Sequence, residues 1–305
     1  VNGTVDAYQI NTYDLLISRQ VPTTTGYTRV LDNLGETQNR GIEAILSINI
    51  VSTSNFNWLV DLTYSRNRNK IIAISGELDE NGNPVDDVAN QWFIGEPINV
   101  YYDYQFDGIW QTDDDILSSH MPFAMPGHVR VADINGDTLL TPEDDRVIIQ
   151  RDANWIGSFG STFRFKGFEL SGDIYVVQGV TRLNNYLYNF NYGGLVAHFN
   201  GVKRDYWTPE YPSNTVPRVY LDNTSSLYKA TSAYQDASYI RLRNLTLAYN
   251  FHDKMLKPLR IEKLRVYVAA NNLFTVTDYK SYSPEVTPSG YPENRSFLGG
   301  INVTF

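Results

Sequence analysis

Phe297-Leu298-Gly299-Gly300-Ile301-Asn302-Val303-Thr304-Phe305 closes the chain and decides how the rest is read. Phe297, Gly299, Ile301, Val303 and Phe305 fall in one file, and Leu298, Gly300, Asn302 and Thr304 in the other. This is the period-two signature of a strand with two unlike faces. A strand in water has no reason to stop on an exposed phenylalanine ring, whereas a membrane-spanning strand puts such a ring at the lipid interface. The stretch predicts an all-β protein, and specifically the closing strand of a transmembrane antiparallel β-barrel.

Composition agrees. Among 305 residues there are 22 Tyr, 14 Phe and 5 Trp but no Cys, and the mean hydropathy is −0.34. An aromatic-rich chain that is not hydrophobic on average suits a barrel wall, in which only alternate residues meet lipid. No apolar run approaches the ~18 residues of a membrane helix. The absence of Cys excludes disulfides, thiol nucleophiles and thiolate metal sites, and a net charge of −9 argues against nucleic acid as a partner. Val1-Asn2-Gly3-Thr4 has neither an initiator Met nor a basic and apolar leader. The expectation is a processed chain or a piece of a longer one.

Working back from the end, period-two segments recur near 3–16, 38–50, 56–72, 87–94, 98–110, 156–166, 168–177, 237–250, 263–272 and 295–305, ten predicted strands. Ile42, Ala44, Leu46, Ile48 and Ile50 share a face, as do Trp58, Val60, Leu62 and Tyr64. Phe159, Ser161, Phe163 and Phe165 do the same, as do Phe168, Leu170, Ile174 and Val176, and then Leu264, Val266, Val268 and Ala270. The opposite faces carry Glu43, Asp61, Arg164, Glu169, Asp173 and Arg265. The apolar phase changes near Asn244, which predicts a bulge there. Connections are short near 51–55, 95–97, 166–167 and 252–262, and long near 17–37, 73–86, 111–155, 178–236 and 273–294, the asymmetry of outer-membrane barrels with short periplasmic turns and long extracellular loops.

The chemistry-bearing residues lie in the long connections. Asp133-Ile134-Asn135-Gly136-Asp137-Thr138-Leu139 through Asp144-Asp145 matches the spacing of a loop that wraps Ca²⁺. Asp133, Asn135 and Asp137 would bind through side chains, Leu139 through its carbonyl, and Asp144 or Asp145 as the closing carboxylate. The same residues also make an Asx-rich turn that organises a loop without metal. His120, His128, His198 and His252 show no zinc-ligand spacing. No serine elbow, phosphate-cradling loop or dinucleotide fingerprint occurs, so no enzymatic activity is expected. The 178–236 loop is crowded with rings, and Tyr188, Tyr192, Tyr206, Trp207 and Tyr211 are the candidates for contact with a substrate or with a protein lid.

A family resemblance runs from end to end. It is carried by Thr12-Tyr13-Asp14-Leu15-Leu16, Glu36-Thr37-Gln38-Asn39-Arg40-Gly41-Ile42-Glu43, Gly95-Glu96-Pro97-Ile98, Asp107-Gly108-Ile109-Trp110, Asp133-Ile134-Asn135-Gly136-Asp137 and Tyr206-Trp207-Thr208-Pro209-Glu210. Its densest phrases run from Ser238 to Leu247 and from Leu264 to Phe274. Together these resemble the C-terminal part of SusC/RagA-type TonB-dependent transporters of the Gram-negative outer membrane. The resemblance implies that residues 1–305 are about ten C-terminal strands of a plugged barrel of about 22 strands, with the plug and earlier strands absent. It implies uptake of a bulky nutrient, an oligosaccharide first and an oligopeptide second. The implied partners are a SusD-like surface lipoprotein, the TonB complex through the absent N-terminal part, the barrel-assembly machinery through Phe305, and lipid or lipopolysaccharide. The alternatives are a siderophore or cobalamin receptor of the same architecture and a secreted calcium-dependent β-sandwich lectin.

Overall fold

The computed structural model describes residues 1–21, 23–33, 35–74, 79–184, 187, 205–218, 228–286 and 290–305. These residues hold sixteen strands, β1 to β16 in chain order, and eight of them form one antiparallel sheet. These are β1 (Asn2–Thr12), β4 (Glu36–Ser52), β5 (Phe56–Ala73), β10 (Trp155–Phe165), β11 (Phe168–Gln178), β14 (Tyr239–Asn250), β15 (Lys263–Thr277) and β16 (Ser296–Thr304). Neighbours in that order pair side by side, and β1 and β16 are the two edges of an open sheet. Among the described residues no helix is long and apolar enough to cross a membrane. Strands of 9 to 18 residues reach or exceed the ~9–11 that a tilted barrel strand needs to span hydrocarbon.

The register shows why the sheet has two unlike faces. Asn2, Ser47, Asp61, Gly160, Asp173, Asn244, Asn271 and Ser296 stand opposite one another in sequence across all eight strands. They form a polar row laced by Asn244 Nδ2 to Asn271 Oδ1 at 2.8 Å and Asn271 Nδ2 to Ser296 Oγ at 3.1 Å. Ser47 also donates to Asp61. The rows on either side are apolar apart from Ser161, whose hydroxyl accepts the Trp58 Nε1–H at 3.1 Å. Ile48, Val60, Ser161, Gly172, Leu245, Ala270 and Phe297 make one, and Gly3, Leu46, Leu62, Phe159, Ile174, Leu242 and Phe274 the other. A slip of one residue would turn a strand's whole apolar set into the polar side.

β14 meets this demand with an extra residue. The pairing of β14 with both neighbours shifts at Arg243, so Leu242 and Leu245 share a face although they are three apart in sequence. This is the predicted bulge, and Arg243 uses it to reach Asp173 at 2.7 Å. On the polar face the ring of Tyr8 lies over Gly41 and that of Tyr267 over Gly300, so close that a Cβ at either glycine would enter the ring. Each aromatic covers the bare backbone of its cross-strand glycine.

Two of the ten predicted strands are not in the wall. Segment 87–94 is a turn: Asp87 Oδ1 accepts the Asn90 N–H at 3.1 Å, Gln91 adopts a φ of 60°, and Trp92 returns to bridge Asp87. Segment 98–110 splits into β6 (Val100–Tyr104) and β7 (Phe106–Ile109), which pair with β9 (Arg146–Gln150) and β8 (Val129–Val131). Their alternation is real, but it reports burial against protein, because period two marks a half-buried strand and not the medium that buries it. Gly95–Pro97 is consequently a turn inside the 74–154 connection. Since two strands leave together, the remaining short connections near 53–55, 166–167 and 251–262 still share one end. Trp58 stacks on Phe163 with centroids 5.3 Å apart, and Phe56, Phe165, Phe168 and Tyr249 form one row at that end.

Because a cation at the bilayer midplane of a barrel's lipid face costs about 2–4 kcal/mol, Ile174→Arg should sharply lower the folded fraction of the full-length protein, read from heat-modifiable gel mobility. Ser171→Arg, on the opposite face, should leave it near the parent value. Equal losses would mean that both faces are dry, and a larger loss for Ser171→Arg would mean that the two are interchanged.

Candidate functional site

The long connections fold into a lobe with its own core. Tyr104, Ile109, Trp110, Ile116, Met121, Ala124, Val129 and Val131 pack together with Trp207, which arrives from the distant 205–218 segment. A connection of some 80 residues cannot stay in place on backbone hydrogen bonds alone and needs apolar burial of its own. Polar contacts then fix the register between the two segments. Asn214 Oδ1 accepts the Ile109 N–H at 3.0 Å, Gln111 Nε2 donates to the Ser213 carbonyl at 3.2 Å, and Trp207 Nε1 donates to Gln111 Oε1 at 2.8 Å. The Arg218 N–H donates to the Gly127 carbonyl at 2.9 Å. Gly127 has a φ of 87° and lies against the Trp207 ring, where a Cβ would collide.

A cleft of about 540 Å³ opens beside this junction, lined among others by Met125, Pro126, Tyr206, Trp207, Pro209 and Arg218. Of the predicted residues, Tyr206 and Trp207 line the cleft and Tyr211 does not. Trp207 is 4% exposed and belongs mainly to the lobe core, whereas Tyr211 is 79% exposed on a turn closed by mutual backbone bonds with Thr208. Tyr188 and Tyr192 lie outside the described residues. Gln111, Asn214 and Arg218 carry no motif in the sequence, and only the packing shows that Arg218 lines the cleft and that Gln111 and Asn214 tie the two segments beside it.

A second junction ties the loops to the wall. Arg241 stands on the polar face of β14, nearly buried, with Nε donating to Thr275 Oγ1 at 2.9 Å and ion pairs to Glu285 and Glu293. Tyr239 also donates to Glu285, and the Arg241 guanidinium lies over the Tyr239 ring. Burial pushes the Glu293 carboxyl up. The Ser283 hydroxyl, neighbouring hydrogen bonds and Arg241 outweigh it and hold the group below its usual value of 4.5. β12 (Thr181–Leu183) and β13 (Tyr234–Asp236) pair as a short antiparallel ladder. Tyr234 donates from it to Asp103 at 3.0 Å, and burial, then that carboxylate, push the Tyr234 hydroxyl up so that it stays a donor. The remaining pair, β2 (Leu16–Gln20) and β3 (Arg29–Asn33), closes the connection between β1 and β4.

The Asp133 loop is built on carboxylate–amide bonds. Asp133 accepts the Gly136 and Thr138 N–H groups at 2.7 and 2.9 Å, and Asp137 accepts that of Leu139 at 2.7 Å. Asn135 Oδ1 accepts the Asp137 N–H at 3.0 Å. Asp145 is fully buried, and its two oxygens accept the N–H groups of Ile134 and Thr141 at 2.9 and 2.7 Å. Asp144 meets the Thr141 hydroxyl at 3.2 Å, and Leu139 is exposed. Among the described residues no three His, Cys, Asp or Glu side chains converge as a metal site would require.

Arg241→Met should leave Glu285 and Glu293 without their cation and free the 278–295 connection, which limited proteolysis would register as faster cutting there. The depressed Glu293 pKa gives the sign of the pH effect: the ionised carboxylate's contribution is complete above about pH 4.5 and is lost as pH falls through the lower folded value. Protection of this connection should therefore fade only in acid. Unchanged cutting in Arg241→Met would show that the network does not hold the loop.

No protein-family model matches the chain. All of it aligns with TonB-dependent receptor P26 of Formosa agariphila at 29% identity, covering 33% of that protein. It also aligns in full with TonB-dependent receptor SusC of Bacteroides thetaiotaomicron at 25% identity, covering 30%. Among solved structures, a chain of the RagAB peptide transporter superposes on 99% of the present chain with a TM-score of 0.77 and 26% identity, over 33% of its own length. The chain spans about one third of the length of the relatives it matches. In sequence and in fold the chain is, over its whole length, homologous to SusC/RagA-like TonB-dependent receptors.

Proposed function

We propose that this chain is wall and loop roof of an outer-membrane importer that takes up a bulky nutrient by TonB-dependent transport. The observation that carries the reading is the eight-stranded sheet with one mainly apolar face and one polar face, capped at one end by a packed lobe. A wall of this kind separates hydrocarbon from a wet interior, and the lobe gives that interior a shaped mouth. The open edges at β1 and β16 would leave backbone groups unpaired in lipid. Further strands therefore complete the barrel in the proposal, and the relatives, three times as long, have room for them.

The nutrient proposed first is an oligosaccharide, since rings with polar neighbours, such as Tyr206 in the cleft it shares with Arg218, suit stacking on sugar faces. An oligopeptide is the second reading, favoured by the similarity to a peptide transporter. A SusD-like lipoprotein seated on the lobe is the proposed partner, with TonB engaged by parts of the protein outside this chain. The calcium reading of Asp133, Asn135, Asp137, Leu139 and Asp144 rests on ligand spacing alone. A calcium-dependent gain in protease resistance that Asp133→Ala with Asp137→Ala abolishes would establish it, and equal digestion in chelator would leave the hydrogen-bonded turn.

Purification of the full-length protein in mild detergent should bring down a surface lipoprotein in about equimolar amount, and native mass spectrometry should show oligosaccharide or peptide bound to the pair. Recovery alone, with iron–siderophore or cobalamin binding, would replace this reading by that of a receptor without a lipoprotein lid.

A further inference from the structure

The end of the sheet opposite the lobe has a chemistry of its own. Phe251 to Arg265 carries Lys254, Lys257, Arg260, Lys263 and Arg265, five of the chain's 25 Lys and Arg in fifteen residues, against Asp253 and Glu262. Within it the helical turn Asp253–Leu256 buries Leu256 and leaves Met255 53% exposed, and Leu259, at the end of the 3-10 turn Lys257–Leu259, is 64% exposed. Lys254, Lys257, Arg260 and Lys263 are exposed, and none of them takes part in an ion pair among the described residues.

This segment is stapled to the neighbouring turns. Asn250 N–H donates to the Gly167 carbonyl at 2.8 Å, Phe251 N–H to that of Leu264 at 3.0 Å, and Lys166 N–H to that of Asn55 at 3.3 Å. The three connections thus share one rim around a recess of about 400 Å³, lined among others by Arg164, Phe165, Lys166, Phe168, Asn250 and His252. Lys166 Nζ lies 5.2 Å from the Phe165 ring centroid, and Phe168, Tyr249 and Phe251 form a ring cluster with centroids 4.7 and 4.9 Å apart. Phe165 and Phe168 also belong to the apolar face of the wall and are about half exposed.

We propose that this rim binds the headgroups of anionic phospholipids in the leaflet that surrounds the short turns. The inference rests on reading the sheet as a membrane wall. An acidic protein would match the cations alone. Exposed Met255 and Leu259, set among those cations and level with a girdle of rings, match a surface that is anionic at its headgroups and apolar just beneath. Each cation near such a surface strengthens binding roughly fivefold. The opposite end has the reverse charge, with seventeen Asp and Glu against three Arg in residues 74–154, so the preference belongs to one rim and not to the molecule.

The test is native mass spectrometry of the detergent-purified full-length protein offered phosphatidylglycerol or phosphatidylcholine. The parent should retain phosphatidylglycerol preferentially, and less so as sodium chloride is raised. Lys254→Ser with Lys257→Ser and Arg260→Ser should cut phosphatidylglycerol retention by about tenfold or more and leave phosphatidylcholine unchanged. Met255→Ser with Leu259→Ser should lower retention of both lipids. Heat-modifiable mobility checks that each variant is folded, and Lys166→Ser, outside the charged segment, should give a drop of roughly fivefold if the triple variant does not assemble. Equal retention of the two lipids by the parent, a preference that survives the substitutions, or displacement of phosphatidylglycerol by inorganic phosphate would each overturn the proposal. Lipoprotein recovery is independent of all these outcomes, so failure here leaves the importer reading standing.

Discussion

Hydrocarbon against one face and water against the other is the condition on which every other feature of this structure depends. In lipid an unpaired backbone group has no solvent to turn to, so strands must pair along their length and keep register. Side-chain alternation then has to agree across all eight strands, and the polar row from Asn2 to Ser296, set between two apolar rows, is that agreement made visible. The Arg243 bulge belongs to the same logic. Without an extra residue there, either Leu242 or Leu245 would face the wet side, and the strand would carry the error to one of its ends.

The lobe obeys a different rule. Its strands are short, three to five residues each, and they are organised by the buried rings and aliphatic side chains around Trp110 and Trp207. Nothing in a membrane constrains them, so what holds them is ordinary apolar burial plus side-chain to backbone bonds that set the register of one loop on another. Arg241 joins the two regimes. It springs from a wall strand, on the side where a charge is tolerated, and its carboxylate partners belong to a loop.

This division explains what could be read from the sequence. The eight wall strands were legible because lipid demands strict alternation and long segments, and the bulge was legible as a break of phase. Segments 87–94 and 98–110 were misread as wall because alternation identifies a half-buried strand without naming the medium. The length of the segment was the missed signal, since β6 and β7 stop after five and four residues. Tyr206 and Tyr211 stand out in the sequence for their rings, but of the two only Tyr206 lines the cleft. Gln111 and Asn214, which tie the two lobe segments together, carry no local signal, because their positions depend on pairing across about a hundred residues of chain. Asp145 stood out as an acid in a ligand-like series. Its full burial on two amide groups follows from the path of the loop, which local spacing does not contain.

The charge distribution follows the same two regimes. A chain with a net charge of −9 concentrates its acids in the lobe segment and its unpaired cations at the short-turn rim. Along the wall from β10 to β15 the polar-face charges are neutralised in place, as Arg164 and Arg265 are by Glu169 and Arg243 is by Asp173. A charge on a wall facing a confined interior costs less when its partner is one strand away, whereas charges at the two ends meet bulk water or headgroups and need no internal partner. Neutralised wall and opposite-signed ends are what results when one sheet has to face lipid, an enclosed wet space and two interfaces at once.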